Sequence, residues 1–555
     1  MRSMGRKGPV PSRSVRTTTG GHAGGRGAAP GDRPGVRGGD RSIVGGPLWI
    51  VLWGGLVVLS GLLTFDPKLY VNGDNVEYIR LAEAARHGAL WASAKYPPLF
   101  PWLLTIPQSF FGTALLPQKI LVFLIYLGAS WMLMRRARVL FPRGYGEPIA
   151  WIALTLIPVL EFGHYVMSEI PYLLLSLLAL AAFDRIRSEG GDAPGARRLR
   201  MVLWCALAAA ATFYTRSVGL SVWAALGLAL LLRKDVSWRE RGIFAAASAV
   251  LVLPWILRSM LGPPNPYFRQ LVQVSPFYPE YGILTAGGWL QRIWDNVRIY
   301  LGGEIPTLLT PGIFRWTYDP PTQRYSYLPL YVAWIPLLFV AIGLMRSLRR
   351  KEPVGLYVVF YLVLSILWPT LWTGIRFLVP VLPFLAIFLF DGLFWSLGLA
   401  RGAILPSRSR LAWIILALWF LMAVRMQGIL AREVRRYPPD WDAYFKAAAW
   451  IREHTAPADL IVDRKPAMLA YATDRRVVTF PREDDPEKMI AWMKEQGVAY
   501  VVVPPIPYDD INRYLIPTVQ KEQTHFTPVF EIEDPYTVVL RFNGTPASPG
   551  APVAR

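Results

Sequence analysis

The sequence predicts a polytopic α-helical membrane protein with about eleven transmembrane helices and a small C-terminal α/β domain outside the cytoplasm. Two observations carry this prediction. Hydrophobic residues make up 53% of the 555 residues and charged residues only 17%, whereas soluble proteins carry about 25% charged residues. The chain also contains successive apolar runs long enough to cross a bilayer, and basic segments separate them.

The charge and cysteine content exclude several other classes. The net charge is +21, but the basic residues lie in short clusters between apolar runs, which indicates membrane lipids as partners and no nucleic acid. The single cysteine, Cys205, excludes a disulfide within the chain. The five histidines are far apart and include no i,i+4 pair, so a zinc protease helix is not expected.

The chain begins with a basic segment, residues 1–45, which is rich in Gly, Arg and Pro and is predicted to be disordered. The next apolar run is too long for a signal peptide and is interpreted as an uncleaved anchor. The eleven predicted spans are 47–65, 118–134, 148–163, 167–183, 201–215, 217–232, 242–260, 327–345, 354–371, 375–398 and 411–429.

Basic clusters predict the orientation of these spans. They precede the first span and follow the second, fourth, sixth, eighth and tenth. Cytoplasmic loops are enriched in Lys and Arg, so the N-terminus is predicted to be cytoplasmic and the C-terminus extracytoplasmic. The predicted transmembrane catalytic domain covers residues 46–432, with outer loops at 66–117 and 261–326.

The segment 433–545 is predicted to form the α/β domain, and 546–555 a disordered tail. Apolar spacing predicts a helix in "DWDAYFKAAAWIREH", and "LIVD" and "YVVVP" are typical of short buried strands. A second helix is predicted between an N-cap at Asp485 and a C-cap at Gly497, followed by a hairpin around Asp534-Pro535. The domain carries no phosphate-binding loop and no nucleophile elbow, which favours a structural or acceptor-guiding role.

The first outer loop contains a candidate catalytic acid. The stretch "NGDNVEY", residues 72–78, begins an amphipathic helix. Asp74 either caps this helix or serves as a general base at the outer lipid boundary. Partial desolvation there would make its carboxylate a usable base near neutral pH. Asp74 can be both a helix cap and a general base only if one of its two carboxylate oxygens stays free.

A proline-rich stretch follows in the same loop. "KYPPLFPW", residues 95–102, has three prolines within five residues and is not expected to form regular helix. It is either a simple turn back into the membrane or the wall of a binding pocket with Lys95 and Tyr96 pointing inward.

A second polar insertion lies at the outer junction of the third and fourth spans. In "EFGHYVMSEIPY", residues 161–172, Glu169 is the stronger site candidate because "SEIPY" starts the returning helix. Glu161 and His164 could instead lie in headgroup water.

Three arginines at outer helix ends run against the positive-inside trend: Arg216, Arg258 and Arg376. A guanidinium can bind a phosphate through two parallel hydrogen bonds, or it can extend to lipid headgroups. Three of them with acids on the same face favour an anionic lipid ligand.

Taken in order, these motifs resemble the GT-C glycosyltransferases. The resemblance rests on the first-loop aspartate, "YPPLFP", "SEIPY", a TR-x-x-GL turn, PW-x-x-R and R-F-L-x-P-x-x-P, and it covers roughly residues 47–430. More narrowly, the chain is similar to the bacterial branch related to protein O-mannosyltransferases and aminoarabinose transferases. The mannosyltransferases carry Asp-Glu where this chain has Asp74-Asn75.

The resemblance implies an enzyme of the bacterial inner membrane that acts in the cell envelope. It would transfer a sugar from a polyprenyl-phosphate donor to an extracytoplasmic hydroxyl of a glycan, lipid or protein, with inversion. Asp74 matches the family's catalytic aspartate and is assigned as the general base. Glu169 is the second catalytic candidate and would help to shape the sugar or acceptor site. Arg216, Arg258 and Arg376 are candidate phosphate ligands, and Lys95, Tyr96 and His164 would shape the sugar or acceptor site.

Two points stay open from the sequence. Asp74 and Glu169 could share a divalent cation, Mg²⁺ or Mn²⁺, although the narrower resemblance implies metal-independent transfer and no metal ligands are assigned. The alternative functions are a secondary transporter or flippase for a lipid-linked or polar solute, and a membrane-anchored interaction protein. Transporters often carry paired internal repeats and charges deep in their helices. In this sequence the charges lie mainly at the helix ends, and no repeat is found.

Overall fold

The computed structural model describes most of the chain between residues 46 and 544. The described residues are 46–71, 73–141, 144–188, 195–261, 266–276, 278–310, 317–319, 324–326, 330–398, 406–434, 436–506 and 508–544. The tails predicted to be disordered, 1–45 and 546–555, lie outside this range.

Helices dominate the chain up to residue 433. They are α1 (Pro47–Leu63), α2 (Asn75–Arg86), α3 (Leu99–Phe111), α4 (Leu115–Leu140), α5 (Gly146–Leu154), α6 (Ile157–Phe162), α7 (Glu169–Ser188), α8 (Gly195–Thr215), α9 (Leu220–Leu232), α10 (Trp238–Leu261), α11 (Pro266–Val272), α12 (Ala286–Ile299), α13 (Ile305–Leu309), α14 (Leu330–Arg349), α15 (Pro353–Leu367), α16 (Ile375–Leu378), α17 (Leu382–Ser396) and α18 (Pro406–Glu433). A two-stranded pair, β1 (Thr317–Asp319) and β2 (Arg324–Ser326), precedes α14.

All eleven apolar segments predicted as spans are helical over most of their length. The third is broken between α5 and α6, and the tenth is broken between α16 and α17. Among the described residues, α4, α10 and the part of α18 from Ser409 onward are long and apolar enough to cross a membrane, and four shorter apolar helices accompany them. How many of the eleven cross the bilayer stays a prediction.

Close helix packing depends on glycine at one contact between α14 and α17. A Cβ placed on Gly343 would overlap the carbonyl oxygen of Phe388, and one placed on Gly392 would overlap that of Phe339. Small residues let two helix backbones approach closely, which is how helices associate in lipid without a hydrophobic driving force.

The two loops predicted to lie outside contain helices that the sequence patterns did not predict. The expectation that residues 95–102 avoid helix is wrong for their second half, because α3 begins at Leu99. Pro101 lies in the first turn of α3, where a missing N–H breaks no intrahelical hydrogen bond. The second outer loop carries α11, α12 and α13.

The C-terminal residues form a five-stranded mixed sheet with flanking helices. Its elements are α19 (Pro439–His454), β3 (Leu460–Val462), α20 (Pro466–Thr473), β4 (Arg476–Val478), α21 (Pro486–Gln496), β5 (Val498–Val503), α22 (Ile516–Lys521), β6 (Phe526–Ile532) and β7 (Thr537–Phe542). The strand order is β4-β3-β5-β7-β6, with β3 parallel to both β4 and β5, and β7 antiparallel to β5 and β6.

Local signals in this part of the sequence are confirmed. The carboxylate of Asp485 caps α21 by accepting a hydrogen bond from Glu487 N, and Gly497 ends that helix with a φ of +70°. The predicted hairpin joins β6 to β7 around Asp534-Pro535.

The first outer loop is packed against the C-terminal sheet and its helices. Leu69 and Val76 are buried in the same hydrophobic cluster as Trp441 and Leu469. The Tyr471 hydroxyl also donates a hydrogen bond to the carbonyl oxygen of Thr113, at 2.9 Å. The loop that carries Asp74 is therefore held by residues from the far end of the chain.

Candidate active site

Asp74 occupies the N-cap position of α2, but its side chain makes no capping hydrogen bond. The capping interpretation of this carboxylate is therefore wrong. Its two oxygens instead bind two other residues: Oδ1 accepts a hydrogen bond from the Tyr96 hydroxyl at 2.8 Å, and Oδ2 accepts one from Arg376 Nη2 at 2.9 Å. The Asp74 side chain remains 28% exposed to solvent.

The surroundings of Asp74 keep it ionised. Burial raises the pKa of this carboxyl, but the charges of Arg376 and Lys95 and the hydrogen bond from Tyr96 outweigh burial and lower the pKa below its ordinary value. Lys95 Nζ lies 4.8 Å from the centre of the Tyr96 ring. Burial and the neighbouring Asp74 raise the pKa of Tyr96, so its hydroxyl keeps its proton and remains a donor.

Glu169, the first residue of α7, is fully buried between two arginines. Its Oε1 accepts hydrogen bonds from Arg376 Nε at 2.6 Å and forms an ion pair with Arg216 Nη1 at 2.5 Å. Arg376 therefore bridges both acids, and the four side chains form one ionic chain in the order Asp74, Arg376, Glu169, Arg216. Among the described residues, Glu169 Oε2 has no hydrogen-bond partner.

Turns that require glycine place Arg216 and Arg376 in the ionic chain. Arg216 follows the end of α8, and a Cβ on Gly219 in the next turn would collide with the backbone of Thr212 and Phe213. Arg376 lies in the short helix α16, which begins directly after Gly374. The backbone φ of Gly374 is +154°. This backbone conformation is rarely open to a residue with a side chain.

Two hydroxyl groups complete the site, and the sequence analysis did not select them. Ser168 Oγ lies 3.0 Å from the Tyr78 hydroxyl and accepts a hydrogen bond of 3.0 Å from Arg216 Nη1. Tyr78 stands four residues after Asp74 on α2, a spacing that places both on one helix face. That spacing, with Ser168 next to Glu169 in the chain, is the signal that could have identified them.

A shallow hollow adjoins the ionic chain at Tyr96. Its walls are mainly apolar and include Leu81, Trp91, Pro98, Pro101 and Trp255. Arg258 lies beside it, because its Nη2 donates to the carbonyl oxygen of Trp91 at 2.9 Å and its guanidinium lies over the Trp255 ring. Arg258 Nη1 is buried and has no hydrogen-bond partner among the described residues.

Three solved structures share this architecture at low sequence identity. ArnT from Cupriavidus metallidurans in the apo state aligns with a TM-score of 0.56 and 15% identity over 90% of this chain and 99% of its own. ArnT bound to undecaprenyl phosphate gives 0.53 and 16% over the same shares. The apo oligosaccharyltransferase of Archaeoglobus fulgidus gives 0.52 and 14%, over 82% of this chain and 70% of its own.

The chain has the GT-C fold. No family model and no curated protein matches the sequence itself. The likeness to the solved GT-C structures therefore lies in the arrangement of the backbone rather than in the level of sequence identity.

In this GT-C chain, His164 contacts a different set of residues from the ionic chain. Its Nε2 accepts a hydrogen bond of 3.1 Å from the backbone N–H of Asp66, and its ring lies 4.9 Å from that of Phe65. A ring nitrogen that accepts a hydrogen bond carries no proton. His164 is also fully buried, so it does not lie in headgroup water.

The two acids do not fit a shared divalent cation. Metal ligands must have lone pairs directed at the ion, and Asp74 and Glu169 both direct an oxygen at the guanidinium of Arg376. Within the described ranges, no three His, Cys, Asp or Glu side chains are grouped closely enough to hold a metal. The positive charge between the acids is supplied by Arg376.

Proposed function

We propose that this chain is a membrane glycosyltransferase that moves a sugar from a polyprenyl-phosphate donor to a hydroxyl of an extracytoplasmic acceptor, with inversion at the anomeric carbon. The acceptor is a glycan, a lipid or a protein. The single observation that carries the proposal is the ionised, partly exposed Asp74, held by Tyr96 and Arg376 in a chain with the GT-C fold. ArnT, which has this fold, has been solved with undecaprenyl phosphate.

Asp74 acts as the general base in this proposal. The acceptor oxygen attacks the anomeric carbon while its proton passes to the Asp74 carboxylate, and the bond from that carbon to the donor phosphate breaks. A carboxylate has about four lone-pair positions, so the bonds to Tyr96 and Arg376 leave room for the acceptor hydroxyl. The lowered pKa of Asp74 keeps the carboxylate ionised at neutral pH and makes it a weaker base than the sequence suggested.

The leaving polyprenyl phosphate needs charge stabilisation more than a proton. Arg258 and Lys95 are suited to this role, because one buried N–H group of Arg258 has no hydrogen-bond partner among the described residues and both side chains lie near the apolar hollow beside Tyr96. Arg376 and Arg216 would contribute through N–H groups that are not already engaged.

Glu169 has a supporting part in this proposal. Its full burial and its bonds to two guanidinium groups suit a residue that orients Arg376 and Arg216 rather than one that exchanges a proton. Arg376 neutralises the acids, so transfer is proposed to proceed without a divalent cation. Activity should then survive chelation with EDTA.

The proposed location is the bacterial inner membrane, with the N-terminus in the cytoplasm and the C-terminus outside. The apolar helices and the alternation of basic loops support this orientation. The ionic chain would lie at the outer boundary of the bilayer, where a lipid-linked donor presents its headgroup. His164 would support the first outer loop through its hydrogen bond with Asp66.

The deciding experiment measures transfer of labelled sugar from a panel of polyprenyl-phosphate donors by purified protein in vesicles. Asp74→Asn keeps the shape of the side chain but removes the base, and loss of a general base costs about 10²–10⁴-fold in rate. Asp442→Asn is the matched control, since Asp442 lies exposed on α19 and pairs with Lys446. Near-normal turnover by Asp74→Asn would contradict the assignment of Asp74 as the general base. Movement of the donor across the vesicle membrane without sugar transfer would favour the alternative function, a transporter.

A further inference from the structure

Lys465 reaches from the C-terminal sheet to the loop that carries Asp74. It stands between β3 and α20, at the carboxyl end of a strand that is parallel to both of its neighbours. Its backbone N–H donates to Asp463 Oδ2 at 2.8 Å, which fixes the turn. Its side chain extends from the C-terminal domain to the predicted first outer loop.

The ammonium group of Lys465 has a specific partner there. Its Nζ donates to the carbonyl oxygen of Val71 at 2.7 Å and lies 4.8 Å from the centre of the Trp441 ring and 5.5 Å from that of Tyr508. Two aromatic faces restrict the side chain, so the hydrogen bond to Val71 is held in one direction. Val71 precedes Asp74 by three residues.

The segment around Val71 is tightly packed. Asn75 Nδ2 donates to the carbonyl oxygen of Tyr70 at 2.6 Å, and the Tyr70 ring stacks on Tyr165 at 4.2 Å. A displacement of Val71 would therefore be transmitted to the Asp74 backbone rather than absorbed by a loose loop. The proposed base needs its oxygens within hydrogen-bond reach of the acceptor, so such a displacement costs rate.

We propose that Lys465 is a positioning residue for the transferase site and that it holds the Asp74 loop from the C-terminal domain. The domain then completes the active site instead of acting as a passive cap. This inference rests on the proposed function for its kinetic consequence, but the contact itself can be tested without substrate.

Charge adds to the hydrogen bond. Burial and the neighbouring Arg464 lower the pKa of Lys465 to about 8, and Asp463 and Asp74 act in the opposite direction without outweighing them. The titratable and charged groups around it are Asp463 and Arg464 on its own turn, Tyr508 after β5, and Asp74 from the outer loop. The ammonium form, which binds Val71 most strongly, is thus complete well below pH 8 and lost above it.

The first test is amide hydrogen exchange over residues 69–76 in the full-length protein without donor. Lys465→Met keeps most of the side chain and removes the ammonium, and loss of a charged hydrogen bond should speed exchange in this segment about tenfold. Lys446→Met is the matched control, because Lys446 is 64% exposed on α19 and should leave exchange as in wild type. Unchanged exchange in Lys465→Met would overturn the proposal.

The second test is transfer kinetics. Lys465→Met should lower kcat about tenfold with little change in the donor KM, because the residue positions the base and does not touch the donor. The wild-type kcat should fall above about pH 8, and Lys465→Arg should extend activity to higher pH because a guanidinium stays charged. The same alkaline fall in wild type and Lys465→Arg would exclude the role of the charge. If Asp74→Asn keeps full transfer activity, the assignment of Asp74 as the base fails, and if wild type transfers sugar from none of the donors, the proposed function fails. The exchange result tests the contact of Lys465 with Val71 in either case.

Discussion

At the residue scale, Arg376 determines what the two acids can do. It lies 302 positions from Asp74 and 207 from Glu169 in the chain, yet it donates a hydrogen bond to each. Removing an ion from water costs several kcal/mol unless a partner compensates. With Arg376 between them, the two carboxylates can lie close together and stay ionised.

The ionisation of Asp74 predicts the acid side of the pH–rate profile. Burial raises the pKa of Asp74, but the charges of Arg376 and Lys95 outweigh burial and hold the pKa below its ordinary value. The kcat/KM of wild type should therefore keep the full contribution of this group at neutral pH and lose it only as the pH falls through that lowered pKa. Arg376→Gln removes the largest opposing charge and leaves burial, so the acid limb should move to higher pH.

This prediction is measured on the residual activity of Arg376→Gln across acidic and neutral buffers. Arg346→Gln is the control, because Arg346 pairs with Asp391 rather than with Asp74. An acid limb at the same pH in Arg376→Gln and wild type would show that Arg376 does not set the ionisation of Asp74.

The substitution Glu169→Gln is predicted to lower the stability of the folded protein. The substitution leaves Arg376 and Arg216 with one charged partner fewer at a fully buried position, and breaking a buried ion pair costs about 3–5 kcal/mol. Thermal unfolding of the protein in detergent should show a clearly lower Tm. Glu77→Gln should not, since Glu77 is 42% exposed and its ion pair with Arg80 spans 4.0 Å; equal Tm values for both variants would contradict this account.

At the element scale, the helices were predictable where apolar runs were long and were missed where they were short. The helices α1, α4 and α10 are predominantly apolar, and α4 and α10 are long enough to cross a membrane. A bilayer leaves such a run no alternative to helix. In contrast, α3 and α12 lie in the predicted outer loops, and their formation depends on neighbours. Asn296 of α12, for example, donates to the carbonyl oxygens of Ile366 and Trp368 at the end of α15.

Gly392→Ala tests the close packing of α14 on α17. A methyl group at this position would overlap the carbonyl oxygen of Phe339, so the helices must separate, and overpacking typically costs about 1–3 kcal/mol. The variant should unfold at a lower temperature than wild type. Gly55→Ala is the control, because no described residue outside the adjoining backbone of α1 lies within 4 Å of the corresponding position. The prediction fails if the two variants are equally stable.

At the scale of the whole molecule, orientation decides whether the site can meet a lipid-linked donor. Cys205 is the one cysteine of the chain and is buried, so a Cys205→Ala background allows single cysteines to report sidedness. Asp442→Cys should react with a membrane-impermeant thiol reagent added to intact cells, whereas Lys234→Cys should react only after the membrane is opened. The reverse pattern would place the ionic chain on the cytoplasmic side and contradict the proposed function.

The contacts of the C-terminal domain with the rest of the chain are defined only in the assembled molecule. Its caps and its hairpin follow from local signals such as Asp485, Gly497 and Asp534-Pro535. Its contact with the first outer loop through Leu69 and Lys465 involves residues almost 400 positions apart in the chain. No local pattern encodes such a pairing.

The amino-acid pattern was sufficient to predict a mostly helical chain with apolar segments of membrane length, and to select Asp74, Glu169 and Arg376, which the structure brings into contact. Apolar length and charge spacing act over a few turns of chain, and a bilayer accepts few solutions to them. Packing decided the rest: Asp74 binds Tyr96 and Arg376 instead of capping α2, and Arg258 and His164 lie outside the ionic chain. These outcomes depend on which distant side chains meet, and their energies are set by burial and by the partner charge, neither of which exists until the helices have assembled.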